Sequence, residues 1–246
     1  MQSSAEFFRP YGFLVQRGRT SRRGFSYIVS NYRALLKVVM PGREVFSMRL
    51  EGKRIGFVVT GSHCTIAEVL PEITRLNEEG AQVYPIISYS VNCTDTRFGT
   101  ADYWKEELEK RTGHRVIKSI VEAEPIGPQK LFDVMIIAPC TGNTLAKLAN
   151  GITDTPALMA AKAHLRNLRP VILAISTNDG LGINAKNLGL VLNMKNIYFV
   201  PFGQDNPLEK ANSLMAHLDL LVNSVIAALQ GYQLQPVLVS PRIAPA

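Results

Sequence analysis

Three short stretches carry residues that could do chemistry. Residues 60–65 read TGSHCT, with one glycine, three hydroxyl side chains, a histidine and a cysteine directly after the apolar run RIGFVV. Residues 88–100 read SYSVNCTDTRFGT, and residues 138–150 read APCTGNTLAKLAN behind FDVMII. The last stretch leaves a strand through Pro139, Cys140, Thr141, Gly142, Asn143 and Thr144 and then starts a helix. A plain connection needs only a turn residue and a cap. Two hydroxyls, an amide and a free glycine backbone suit a polar ligand at a helix N-terminus, where N–H groups and the helix dipole favour anions.

The first stretch lacks G-x-G-x-x-G and the P-loop pattern. Gly61, Ser62, Cys64 and Thr65 suit a single phosphate, or else a plain Ser/Thr helix cap. His63 is a candidate proton carrier, although a lone histidine is commonly structural. In the second stretch Ser88 and Ser90 could touch a ligand edge and Arg97 could bind an anion, against the reading of a polar surface loop. A fourth segment, DGLGINA (179–185), imitates a nicotinamide fingerprint, with Asp205 roughly twenty residues on. It comes late in the chain rather than in the first turn. Gly180 and Gly182 better serve to bend that loop over a ligand.

Strand-like runs alternating with helical stretches must position these loops. Strands are expected at 54–61, 82–88, 132–138, 170–176 and 196–202, with helices at 65–81, 101–114, about 143–150 and from Pro156. Pro71 must kink the first helix or mark a late start, and 89–101 reads as a loop. The spacing of Leu208, Ala211, Met215, Leu218, Val222, Val225 and Leu229 predicts one long final helix, capped by Asn206 and ended by Gly231. The pattern implies an α/β, Rossmann-like, doubly wound and mainly parallel sheet, with ligands beyond the C-terminal ends of the strands.

Composition narrows the class. The 246 residues carry a formal charge of +7, but residues 1–47 hold eight Lys or Arg against two acids. The rest has 19 basic and 18 acidic residues, so the chemistry-bearing part gives no nucleic-acid signal. No apolar run approaches the roughly 18 residues of a membrane span. Cys64, Cys93 and Cys140 have no C-x-x-C spacing, which suggests a reduced compartment and no metal site. Three regions are expected: a basic extension over 1–47, loosely ordered or upstream of a start at Met48; an α/β domain over 48–232; and an irregular tail over 233–246.

AP-x-x-x-NTLAKLANGITD resembles the signature of the homo-oligomeric flavin-containing cysteine decarboxylase family of flavoproteins. The hydroxyl loop 60–65 stands where that family places its FMN phosphate turn. The stretches GSHCT, NCTDTRFG, TGNTLAKLANGITDTPALMAAKAHLRN, ISTNDGLG and KNIYFVPFGQDNP are most similar to a branch that forms one of two subunits of a pyridine-dicarboxylate synthase in spore-forming bacteria.

The resemblance implies FMN held by Gly61, Ser62, Cys64, Thr65, Ser88 and the run Pro139–Thr144. Asn143, Asn178 and Gly180 would meet the substrate, and His63, Asn143 and Asp179 are the catalytic candidates. It further implies a second subunit similar to a nicotinamide (NAD(P)) dehydrogenase, and a cytoplasmic homo-oligomer, trimeric or a multiple, in the mother cell. Two departures argue against cysteine decarboxylation. Cys140-Thr141-Gly142 replaces Ala-Ser-Ala, and ISTNDGLG keeps only Asn178 of the decarboxylase substrate loop. A non-catalytic binding subunit and a flavin-dependent decarboxylase remain the alternatives.

Overall fold

A computed structural model describes residues 48–240. The basic extension expected over 1–47 and the last residues of the tail lie outside the described residues. Five strands run parallel in the order β2–β1–β3–β4–β5: β1 (Arg54–Val59), β2 (Gln82–Ile87), β3 (Val134–Cys140), β4 (Val171–Thr177) and β5 (Ile197–Phe199). β3 is buried along its whole length, as a central parallel strand covered on both faces must be. Its apolar residues therefore form a continuous run instead of alternating.

From β1 the chain crosses to β2 on one side, then returns past β1 to β3 and moves outward to β4. Crossovers of one hand in opposite directions put their helices on opposite faces of the sheet. Helix α1 (His63–Glu78) follows β1, and α2 (Tyr89–Cys93) and α3 (Ala101–Thr112) follow β2. The one-turn α4 (Ile120–Ala123) precedes β3. Helix α5 (Gly142–Ala149) springs from β3, and α6 (Pro156–Leu165) leads into β4. The order reverses between β1 and β3, so their following loops part there and leave a crevice at the strand ends.

Several expectations need correction. α1 starts at His63 and continues through Pro71, so the proline does not mark a late start. Part of the expected loop 89–101 is α2, and β3 extends to Cys140 rather than stopping at 138. A helix absent from the reading, α7 (Ala185–Leu192), follows the β4 loop.

The largest departure is the long final helix. Only α8 (Leu221–Leu229) is α-helical, and Gly231 at φ 83° lies just beyond its end. The preceding segment is a hairpin of β6 (Phe202–Gln204) and β7 (Leu214–Ala216), and Leu208 is 97% exposed at its turn. The reason lies in β4. β5 pairs only with Val171–Leu173, which leaves the edge at Ser176 and Thr177 open until β7 fills it. Satisfying buried backbone groups of the sheet outweighs a helical spacing of apolar residues. Asn206 caps that turn instead of a helix, accepting from the N–H groups of Leu208 and Glu209. The tail is not wholly irregular, since Val237 and Val239 bracket Phe202 through backbone hydrogen bonds.

Candidate functional site

The tips of β1 and β3 are clasped by Thr60. Its buried hydroxyl donates to the Pro139 carbonyl at 2.6 Å and accepts from the Thr141 N–H at 3.2 Å. This holds the loops 60–65 and 139–144 side by side at the reversal point. Helices α1 and α5 thus begin close together. Their leading N–H groups have no helical carbonyl to meet.

At α5, Thr141 is the N-cap, accepting from the Thr144 N–H at 3.2 Å, and the two hydroxyls lie 3.0 Å apart. Asn143 is exposed, and its amide makes no hydrogen bond among the described residues. At α1, Ser62, Thr65 and Ser176 from the tip of β4 form a triangle of hydroxyls with sides of 2.9 to 3.1 Å. Gly61 lies between these groups. A Cβ there would meet the Ser90 hydroxyl at 2.6 Å, so only glycine lets Ser90 approach.

His63 reaches the same hydroxyl from the other side, with Nε2 3.2 Å from Ser90 Oγ. Its Nδ1 is buried without a partner, and burial lowers its pKa below the usual histidine value. The ring is therefore neutral at neutral pH. Ser88 is 8% exposed and its hydroxyl has no partner.

Two cavities flank the Gly61–Thr141 contact. One of about 400 Å³ is lined by Ser88, Tyr89, Ser90, Asn143, Thr144 and Lys147, among others. The other, of about 490 Å³, is lined by Ser62, His63, Cys64, Thr65, Asn178 and Lys210 with their neighbours. Both volumes fall in the roughly 300–1,000 Å³ range of small-molecule sites.

The structure thus brings together Gly61, Ser62, His63, Cys64, Thr65, Ser88, Thr141, Gly142, Asn143, Thr144 and Asn178 on these walls. Gly180 lies outside both linings, close against Leu214, which a Cβ would meet at 2.6 Å. Pro139 and Cys140 are strand residues and buried, so Pro139 acts through its carbonyl. Burial pushes the Cys140 thiol up to about 12. Asp179 is tied at both oxygens, by the Thr177 hydroxyl and by Asn184 Nδ2 at 2.8 Å, and fastens the β4 loop. Lys147 is ion-paired to Asp154 at 2.6 Å.

A direct consequence is selective thiol reactivity. Cys64 and Cys93 are exposed and Cys140 is buried. A thiol reagent read by mass spectrometry should modify two cysteines in the native chain and Cys140 only on unfolding; fast modification of Cys140 would contradict this burial.

The reading of the sequence missed Thr60, Ser176 and Thr177. All three stand at the C-terminal ends of strands, and applying the strand-end rule residue by residue would have found them. It also missed Lys210 and Ser213 on the wall of the larger cavity, and named Asp205 there only as part of the imitated nicotinamide fingerprint. No local signal marks these, because the hairpin that brings them there answers to an open strand edge elsewhere.

The crevice offers what an FMN-sized ligand needs. The orphaned Ser88 hydroxyl, the two converging helix N-termini and the space kept open at Gly61 suit a phosphate ester, and Leu158, Tyr89 and Asn143 suit a ring with polar edges. The residues fit the group.

The chain is similar to known proteins in sequence and in fold. A family model described as Flavoprotein matches residues 46–230. The B subunit of dipicolinate synthase from Bacillus subtilis (strain 168) is 54% identical over 190 residues, covering 77% of this chain and 95% of that protein. The crystal structure of the B subunit of dipicolinate synthase from Bacillus halodurans C superposes with a TM-score of 0.72 at 50% identity, covering 78% of this chain and 98% of that one. The FMN-dependent cysteine decarboxylase SpaF shares the fold, with a TM-score of 0.55 at 18% identity over 74% of this chain and 99% of its own. The reversal-point crevice, its hydroxyl loop and a match spanning nearly all the described residues lead to one conclusion: this chain belongs to the Flavoprotein family.

Proposed function

We propose that the chain is the B subunit of a dipicolinate synthase, acting in the cytoplasm of a sporulating cell with a dehydrogenase-like A subunit. The observation that carries this reading is the crevice where α1 and α5 begin side by side, with Ser88 unpartnered on its wall, in a chain so similar to the Bacillus B subunits. FMN would be held there by Gly61, Ser62, Thr65 and Ser88 together with Thr141, Asn143 and Thr144. A bound flavin supplies a two-electron acceptor.

Forming an aromatic pyridine dicarboxylate from a hydroxylated tetrahydropyridine requires loss of one water and then of two hydrogens. The second loss is a hydride and a proton. The protein's own part is to orient the ring and receive that proton. His63, neutral through burial and hydrogen-bonded to Ser90, is suited to accept it at Nε2. Asn143 and Asn178 border different cavities, where their amides can fix carboxylates. Asp179, engaged at both oxygens, acts as a positioning residue for the loop that carries Asn178. The family resemblance supports a homo-oligomer, trimeric or a multiple.

One observation favours a second reading, in which this chain binds and shapes the site while the dehydrogenase-like partner and its NAD(P) transfer the hydride. Asp179, Lys147 and Lys210 are all engaged within the chain, which leaves His63 as the proton carrier. The full 246-residue chain mixed with FMN is expected to keep the flavin's visible absorption through gel filtration. With an added electron acceptor it should also turn over the dihydropyridine precursor. Flavin retained without turnover until the dehydrogenase-like partner is added would select the second reading. A colourless protein would overturn the FMN assignment.

A further inference from the structure

The charged residues lining the two cavities leave little for a dianionic ligand. Lys147 is paired with Asp154 in the smaller cavity. In the larger one Lys210 is paired with Asp205 at 2.7 Å, and Glu68 adds a further negative charge. A pyridine dicarboxylate entering here needs a cation that is not already neutralised.

Arg97 is such a cation. It is exposed, and it makes no ion pair among the described residues. Its guanidinium carbon stands 4.8 Å from the centroid of the Phe98 ring. Phe98 in turn lines the larger cavity and is 43% exposed, so part of its ring surface is accessible to a planar ligand.

The turn carrying both side chains is fixed. Thr96 and Gly99 exchange backbone hydrogen bonds at 3.1 Å each way, and Thr96 Oγ1 accepts from the Phe98 N–H. The Asp95 carboxylate holds the Ala101 N–H at 2.8 Å, and Thr100 caps α3. Gly99, at φ 153°, lies against the Trp104 indole, where a Cβ would come within 2.8 Å. Such a support pays little ordering entropy on binding.

We propose that Arg97 and Phe98 form the carboxylate- and ring-recognising lip of the 490 Å³ cavity, and that this cavity takes the pyridine dicarboxylate. The inference rests on the function proposed above. The guanidinium binds one carboxylate in its planar fork, and the pyridine ring lies on Phe98. Glu68, exposed on the cavity wall, repels the carboxylates and so sets the ligand's direction.

Calorimetric titration of the full chain with dipicolinate, and with the monocarboxylate picolinate, tests this. Arg97→Ala should weaken dipicolinate binding by roughly tenfold to a hundredfold, the range for a lost charged hydrogen bond. It should also erase the preference for dipicolinate over picolinate. Arg97→Lys should restore part of the affinity, and Glu68→Gln should raise it a few-fold. Retention of FMN serves as the check of folding, because Arg97 is not among the residues that would hold it. Wild-type binding of dipicolinate with Arg97→Ala unaffected overturns this inference alone. Failure of the wild-type chain to bind any pyridine carboxylate overturns the proposed function, and the inference with it.

Discussion

Replacing Gly142 with alanine is expected to destabilise the protein by about 1–3 kcal/mol, the range for overpacking a filled interior, and to weaken FMN binding at least tenfold. Gly142 is the first residue of α5 and is buried. A Cβ there would meet Thr177 Oγ1 at 2.5 Å and both Asn184 Nδ2 and Asp179 Oδ1 at 2.7 Å. These atoms cannot simply swing aside. Thr177 donates to one oxygen of Asp179 and Asn184 to the other. Asn184 is bonded onward to Asn187, and Asn187 to Asn150 beside the last turn of α5.

An added methyl must therefore break a partly buried polar network or push α5 away from β4. Either shift moves the Thr141 cap and Asn143 relative to Gly61. Gly189→Ala is the control, since nothing lies within 4 Å of its Cβ position inside α7. Alanine there should be neutral or stabilising by up to about 1 kcal/mol. Thermal unfolding and flavin titration of the two variants would decide. A Gly142→Ala protein with wild-type Tm and FMN affinity would show that α5 does not seat on the Asp179 cluster.

The same cluster marks how far the sequence could be read. The parallel strands were legible because a strand covered on both faces must be apolar throughout, and MIIA in β3 is a run of that kind. Loops at strand ends then follow from topology, and TGSHCT and APCTGNT stand at such ends. The start of α6 was also legible, from Pro156 in its first turn.

What stayed hidden depends on partners far along the chain. Ala211 and Met215 fit a helical spacing, yet β4 leaves two residues of open edge that only a strand can satisfy. Missing that hairpin meant missing Lys210, Ser213 and the place of Asp205 on one wall of the larger cavity. Asp179 looked like a free acid because nothing in DGLGINA announces that Thr177 and Asn184 hold both of its oxygens. Residue type is local information, and availability for chemistry is not.

His164 carries the same lesson into stability, as an acid-sensitive joint that lines neither cavity. It lies in α6, 1% exposed, with Nε2 buried and unpartnered. Burial, aided by the positive charge of Arg169, pushes its pKa down to about 4, while the Pro170 carbonyl and Asp133 pull it upward. In the unfolded chain the ring titrates near its ordinary 6.5. Between those values the unfolded chain holds a proton that the folded chain does not, so acid favours unfolding. The contribution is fully present above about pH 6.5 and is lost as the pH falls toward 4, to a total of about 3 kcal/mol.

His164→Leu removes the titrating group without stranding a partner of Nε2, since it has none among the described residues. The bond to the Pro170 carbonyl is lost, which lowers stability at every pH by about 1 kcal/mol but does not alter the slope. Urea unfolding of both proteins at about pH 7.5 and about pH 4.5 separates the two effects. The wild type should lose about 2.5 kcal/mol more than the variant across that interval. Equal losses in the two proteins would mean that His164 is protonated in the folded state and that the joint around Arg169 and Asp133 is open to water.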